Sequence, residues 1–299
     1  MLKKNTLLKM AICGLPVICA VALLASPKMT RAAVLAADNA SNYTSSTWTG
    51  NSSNVTTNPT ANGGTGFGGW TVNSSPNGGS AGTFLATPTG NPASSNIATN
   101  GKSWGLYANN SSAAEEDLYR PFTSASGASI GTLRPGQAFS IAMAAHSSGL
   151  TGYAGFDLQS GNGTGSGARN VFTLLISGGN AHLHYTSNGA SSATTVTRSD
   201  VNSGIVATFY LATPTTYDLT IAPATGNSFT PASYTNQTIS GSINQVHLFD
   251  TNTTGNTYFN SMAITPEPAS ILPAGAGIAG VLGMVLLRRR RGAKLGRLA

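Results

Sequence analysis

The chain is 299 residues long, with a formal net charge of +7, 8% charged residues and 36 glycines. The charge sits at the ends: residues 1–37 carry Lys3, Lys4, Lys9, Lys28 and Arg31 and no acid, residues 266–299 carry Arg288, Arg289, Arg290, Arg291, Lys294 and Arg297 against Glu267, and between them five cations face eight carboxylates. A nucleic-acid-binding body needs a basic face, so the composition excludes a DNA or RNA partner for the middle of the chain.

Residues 1–37 read as a secretory signal peptide. Three lysines open it, and Met10 to Ala25 follows as an apolar stretch of 16 residues. Ala32, Ala33, Ala36 and Ala37 then offer small residues for cleavage, with Val34-Leu35-Ala36 one match to the pattern. A retained anchor is the alternative, but 16 residues fall short of the ~20 that a span needs. Cys13 and Cys19, the only cysteines, lie here. The mature body therefore has no disulfide, thiolate nucleophile or cysteine-based zinc site.

Residues 38–66 hold 22 Gly, Ser, Thr or Asn among 29 and read as a loop or edge segment, with Tyr43 and Trp48 as potential anchors. From residue 67 short apolar and aromatic runs begin. Phe67-Gly68-Gly69-Trp70 and Ser103 to Asn109 come first. Ser111 to Tyr119 reads as a turn, with Glu115, Glu116 and Asp117 on a solvated loop near Arg120. Alternating or continuous runs follow at 138–143, 153–158, 170–176, 181–185, 205–211, 217–221, 245–249 and 258–264. They are rich in β-branched and aromatic residues and separated by Gly, Asn, Ser and Pro clusters. That spacing predicts an all-β body over 67–265, a single antiparallel β-sandwich of jelly-roll or lectin-like type.

The tail, residues 266–299, is ordered as proline, carboxylate, proline, apolar run, arginines. Pro266 and Pro268 fix φ and remove two N–H donors, so the backbone there is expected to be extended and outside any ladder. Ala269 to Leu287 is 19 residues without a charge, enough for one transmembrane helix. Arg288 to Arg291 stop the span and, by the positive-inside rule, place the body outside. Pro266-Glu267-Pro268, span and arginine cluster together resemble the PEP-CTERM sorting signal of Gram-negative bacteria. Phe67 to Trp70, Ser103 to Asn109 and Tyr258 to Ser261 are similar to phrases in the bodies of such proteins. The resemblance implies recognition of Pro266, Glu267 and Pro268 by an exosortase, an integral-membrane cysteine protease. It also implies export, by the Sec machinery that a signal peptide addresses, to an extracellular-polysaccharide or biofilm setting. The protein would be held transiently in the inner membrane with its body in the periplasm, then pass to the cell envelope or medium.

Catalytic motifs are weaker. Gly64-Thr65-Gly66-Phe67-Gly68-Gly69 matches GxGxxG but lacks the strand before and helix after that a dinucleotide site needs. Gly78-Gly79-Ser80-Ala81-Gly82 matches GxSxG without the strand–Ser–helix setting. His182 and His184 share one face of a presumed strand, and with His247 they are candidate metal ligands. The plainer reading makes the pair solvent-facing around an inward Leu183. Glu115, Glu116 and Asp117 are a second candidate cation site, against a solvated loop. Asp157, Asp200, Asp218 and Asp250 are scattered, and no catalytic pair stands out among them. Trp70, Trp104 and Tyr107 are candidate glycan-stacking residues, with aromatic core packing as the plainer reading. The sequence thus points to a non-enzymatic, exported envelope or matrix protein, without cofactor or metal. A lectin-like carbohydrate-binding module is the alternative reading, with a polysaccharide hydrolase behind it.

Overall fold

The computed structural model describes residues 34–46, 48, 56–57, 63–109, 111, 113–122, 131–145, 151–161 and 168–266. Sixteen strands lie within them. They are β1 (Ala36–Asp38), β2 (Thr56–Thr57), β3 (Thr71–Ser75), β4 (Ser80–Ala86), β5 (Ser103–Asn109), β6 (Glu115–Pro121), β7 (Gln137–Ala145) and β8 (Tyr153–Ser160), then β9 (Arg169–Ser177), β10 (His182–Ser187), β11 (Ala190–Thr197), β12 (Ile205–Thr213), β13 (Thr216–Pro223), β14 (Ala232–Thr238), β15 (Gln245–Thr251) and β16 (Asn256–Pro266). One short α-helix, α1 (Arg198–Asn202), and two single-turn 3-10 helices at Ala40–Asn42 and Pro92–Ser94 interrupt them.

The strands form two eight-stranded antiparallel sheets. Sheet A runs β14-β13-β12-β7-β16-β5-β4, with β1 also paired to β16; sheet B runs β11-β10-β9-β8-β15-β6-β3-β2. All eight alternating runs read from the sequence are strands of these sheets.

Period-two patterning explains the sandwich. Successive side chains point to opposite faces, and in most strands one face is apolar. Phe139, Ile141 and Met143 of β7, and Ile205, Ala207 and Phe209 of β12, meet Phe156, Leu158, Phe172, Leu174, Val246 and Leu248 of sheet B in one core. Aromatic contacts cross between the sheets: Phe139 to Phe156 at 6.0 Å, Phe172 to Phe209 at 5.0 Å and Phe172 to Tyr217 at 5.4 Å between ring centres. Burying each such ring contributes about 1.5–3 kcal/mol. The outer face of sheet A is covered in part by the 87–102 segment, where Ile97 packs with Ala142, Ala144, Ala224 and Tyr258.

Four expectations need correction. Residues 36–48 are part of the body: Ala36, Tyr43 and Trp48 are core residues, and β1 pairs with β16 as Ala36↔Ile264 and Asp38↔Met262. Gly64 and Gly66, from the GxGxxG match, let the chain close over β1. A side-chain carbon at either would meet the carbonyl oxygen of Ala37 at 2.2 Å or Leu35 at 2.3 Å.

Second, Glu115, Glu116 and Asp117 are in a strand near the middle of sheet B, between β3 and β15. Acidic residues disfavour strands on propensity alone, but β3 and β15 flank the segment on both sides and cover it. Third, Pro266 does join a ladder: it ends β16 opposite Gln137, an end position where a missing N–H is tolerated. Fourth, a helix exists where none was expected. It opens with a capping box in which the Thr197 hydroxyl accepts from Asp200 N and the Asp200 carboxylate accepts from Thr197 N.

Inside the sandwich, Arg120 ties Asp38, Tyr43, Gly63 and Gly68 to sheet B. Its guanidinium is paired with the Asp38 carboxylate. It also donates to Gly68 O at 3.0 Å, Gly63 O at 2.7 Å and Tyr43 Oη at 2.9 Å. The guanidinium carbon lies 4.9 Å from the Trp70 ring centre and 5.2 Å from that of Phe67. Asn260, in the irregular step of β16, plays the same part in sheet A: it accepts from Ala40 N and donates to Ile97 O and Lys102 O.

Candidate functional site

The outer face of sheet B carries the chemistry. Since Leu118, Val246, Leu248, Phe156 and Leu158 point inward, alternation sends Glu115, Asp117 and Tyr119 of β6 outward. Gln245, His247 and Phe249 of β15, and Tyr153, Asp157 and Gln159 of β8, point the same way.

Register places these groups in rows. Glu115 and Tyr153 both lie opposite Thr251. Asp117 lies opposite Phe249, and Phe249 opposite Gly155. Tyr119, His247, Asp157, Thr173 and Thr186 form the third row.

His247 is clasped from both sides. Its Nε2 is 2.8 Å from Asp117 Oδ1 and its Nδ1 is 2.9 Å from Asp157 Oδ2. Carboxylates accept at both ring nitrogens, so both donate and the ring is an imidazolium. Burial works against that charge, but the hydrogen bonds to Asp117 and Asp157 outweigh it and lift the pKa to about 9. Tyr119 stacks flat on the imidazolium, 4.4 Å away and 5° from parallel. Thr173 Oγ1 donates to Asp157 at 2.5 Å, while Gln245 Nε2 donates to Gln159 and Gln159 Nε2 to Asn170.

Beside this trio lies a groove of about 330 Å³. Glu115, Asp157 and His247 supply its charge, Asn170, Thr173 and Thr186 its neutral polar groups, and Tyr153, Phe249 and Leu175 its apolar wall. Tyr153 is 46% exposed and is the one exposed aromatic among the described residues. It packs edge-on against Phe249 at 6.1 Å. Gly155, between Phe249 and Leu175 in the middle row, allows close approach of β9; a carbon there would strike Leu174 O at 2.1 Å. Burial raises the Glu115 pKa, the nearby Asp117 adds to this, and His247 partly offsets it.

A larger hollow of about 460 Å³ lies on sheet A, between residues 95–99 and Ala142, Val206 and Gly226, and no titratable side chain lines it.

The sequence-nominated residues fall differently. Trp70 and Trp104 are 1% and 0% exposed, so neither has a face for a sugar. They form an aromatic cluster with Trp48 and Tyr43, with ring centres 5.0–6.1 Å apart. Tyr107 is on sheet A against Phe84, 6.1 Å away, on the opposite side of the molecule from the groove.

His182 and His184 flank the buried Leu183 on β10. Two strands, β9 and β8, separate them from β15. At ~4.8 Å per strand that is about 14 Å from His247, too far for shared ligation. No group of three or more His, Cys, Asp or Glu side chains among the described residues is arranged to hold a metal ion.

Asp200 caps α1, Asp218 accepts from Asn236 N at 2.7 Å, and Asp250 is fully buried between the sheets. Of the scattered aspartates only Asp157 reaches the groove. The signal that could have found it is weak: outward polar residues at matching places in 115–119, 153–159 and 245–249, with a glycine inside the middle run. Glu267, Pro268, the apolar run 269–287 and Arg288 to Arg291 lie outside the described residues. No helix among those described is long and apolar enough to cross a membrane.

No family model matches the chain, and no curated protein matches it. Several solved structures are similar at low identity. One is an endo-β-1,4-glucuronan lyase from the fungus Trichoderma reesei, with 10% identity, 62% of this chain and 87% of that chain covered, and a TM-score of 0.38. Another is a carbohydrate esterase from the Shiga toxin-encoding bacteriophage phi24B, with 14% identity, 66% and 89% coverage and a TM-score of 0.39. A third is the binding domain of botulinum neurotoxin serotype D, with 10% identity, 75% and 48% coverage and a TM-score of 0.40. Similarity at this level carries no functional argument.

Proposed function

We propose that the chain is an exported, non-enzymatic envelope or matrix protein whose sheet B groove binds glycan, delivered through its PEP-CTERM-like tail. The observation that carries the glycan reading is the position of Tyr153. The one exposed aromatic of the described residues stands at a groove walled by carboxylates, an amide and hydroxyls. An aromatic face offers the apolar side of a pyranose a stacking surface, and the surrounding groups hydrogen-bond its hydroxyls.

The clasp on His247 favours binding over catalysis. Both ring nitrogens hold protons for Asp117 and Asp157, so the ring has no lone pair to act as a general base.

The sorting half of the reading rests on the sequence, and β1 refines it. Ala36 pairs with Ile264 and Leu35 N donates to Ile264 O. Export cleavage after Ala36 or Ala37 would cut that strand, which favours cleavage at Ala32 or Ala33.

A glycan array probed with the full chain and with Tyr153→Ala tests the binding half. The expected result is binding to at least one glycan, lost in the variant. Binding that survives the substitution, or none to any glycan, overturns it. Intact mass of the protein from its host membrane and medium tests the other half: a form retaining Arg288 to Ala299 in the membrane would end the sorting reading.

A further inference from the structure

The charges around the groove are unequal. Among its lining residues are Glu115, Asp157 and His247, and no lysine or arginine. The five cations of the central region are engaged elsewhere or placed elsewhere. Arg120 is inside the sandwich, Lys102 donates to Tyr43 O, and Arg198 binds the carbonyls of Ser177, Gly178 and Asn180. Arg169 reaches Ser240, and Arg134 lies in the segment before β7. Asp117 and Asp157 share the single imidazolium of His247. That leaves one excess negative charge in the clasp and a second on Glu115, which faces the groove.

Glu115 is placed to make that charge felt. It and Tyr153 stand in one row, on either side of Thr251, two strand spacings or about 10 Å apart at the backbone. That spacing leaves room for a sugar ring between the two side chains. A sugar lying on Tyr153 therefore presents its substituents to Glu115.

We propose that Glu115 sets the charge specificity of this groove, admitting neutral or amino-bearing pyranose chains and rejecting uronates. The inference rests on the glycan-binding reading above and narrows it. A carboxylate on the ligand meets like charge with no lysine or arginine to offset it and with the His247 imidazolium already shared by two carboxylates, whereas an ammonium or hydroxyl finds an acceptor.

The test uses the full chain at pH 8 and low salt with oligosaccharides that share a backbone and differ in charge. One set is β-1,4-linked hexamers of glucose, glucosamine and glucuronate. The second is galactose and galacturonate oligomers with α-1,4 linkage. The expected result is that a neutral or amino member of at least one set binds about tenfold or more tighter than its uronate. Glu115→Gln should narrow that gap, and so should added salt. Circular dichroism of the variant, matching that of the unaltered chain, confirms its fold. A uronate bound as tightly as its neutral counterpart overturns the proposal while leaving glycan binding in place. A gap that Glu115→Gln leaves unchanged overturns the assignment to this residue. No binding by any member of either set removes the underlying reading, and the proposal with it.

Discussion

The two faces of β6 put similar residues to opposite uses. Inward, Arg120 is buried against Asp38, Tyr43 and two carbonyls, and Glu116 is buried beside Ser74 and Asp250. Outward, Glu115 borders a groove open to water, and Asp117 is held against His247. One strand of seven residues thus holds a charge, Arg120, that fastens the fold and another, Glu115, that faces a ligand groove. Side-chain period, not residue type, assigns the role.

The largest effect that would break this contrast lies on the inner face. Arg120→Ala leaves the Asp38 carboxylate buried without its cation and removes the side-chain bonds to Tyr43, Gly63 and Gly68. It should cost about 3–5 kcal/mol in chemical unfolding; a loss under 1 kcal/mol would mean that the inner charges do not fasten the fold.

Next comes pH. Burial raises Glu116 to about 9, and although its neighbour Ser74 favours the ion, the net shift stays upward. Burial likewise raises Asp250 to about 7 against the hydroxyls of Thr253 and Thr257. Each acid is held neutral in the folded state, so its contribution is full below its ordinary carboxylate pKa and is lost as pH climbs to the raised value. His247, raised from 6.5 to about 9, contributes fully below 6.5 and loses that contribution as pH rises through 9. All three have the same sign, so the thermal midpoint should fall steadily from pH 6 to 9.5. Glu116→Gln should flatten the upper part of that fall. A midpoint that rises toward pH 9 would contradict the neutral state of these acids.

His247→Ala should come third, at about 1–3 kcal/mol, because water can enter the groove and solvate Asp117 and Asp157. If it proves as damaging as Arg120→Ala, the outer trio is a structural fastening as well. The smallest change is expected of Tyr153→Ala: within about 0.5 kcal/mol in stability, yet about tenfold or more in glycan affinity. That split between stability and binding separates a contact residue from a structural one.

How much of this was legible depended on what each residue reports about itself. Phe139, Ile141, Phe209 and Leu219 sit at period-two spacing in apolar runs, and each run is a strand. β6 was hidden because Glu115-Glu116-Asp117 carries no local strand signal. Its pairing with Thr71–Ser75 and Gln245–Thr251 comes from chain far away in sequence. The serine- and threonine-rich β11 and the polar β14 were hidden for the same reason. The groove was unreadable because a surface row is assembled from strands whose order no single segment reveals. The tryptophans were legible: aromatic core packing was the plainer reading, and Trp70 and Trp104 are buried in the core. The box over Thr197 and Asp200 was readable in principle, as a threonine with an acid three residues on.

β16 has a consequence for timing. It is made after every other strand, yet it lies inside sheet A, flanked by β7, by β5 and by β1 from the beginning of the body. Until residue 264 has emerged, β1 lacks its partner strand, with only the bridge from Ala37 to Thr65 to hold it, and β5 and β7 have nothing between them. The sandwich therefore cannot close piecemeal during synthesis; its first and last strands lock together in one late step, the slow kind expected where contacts span nearly the whole chain. If the chain is exported as proposed above, an architecture that stays open until its end is through suits passage across a membrane before folding.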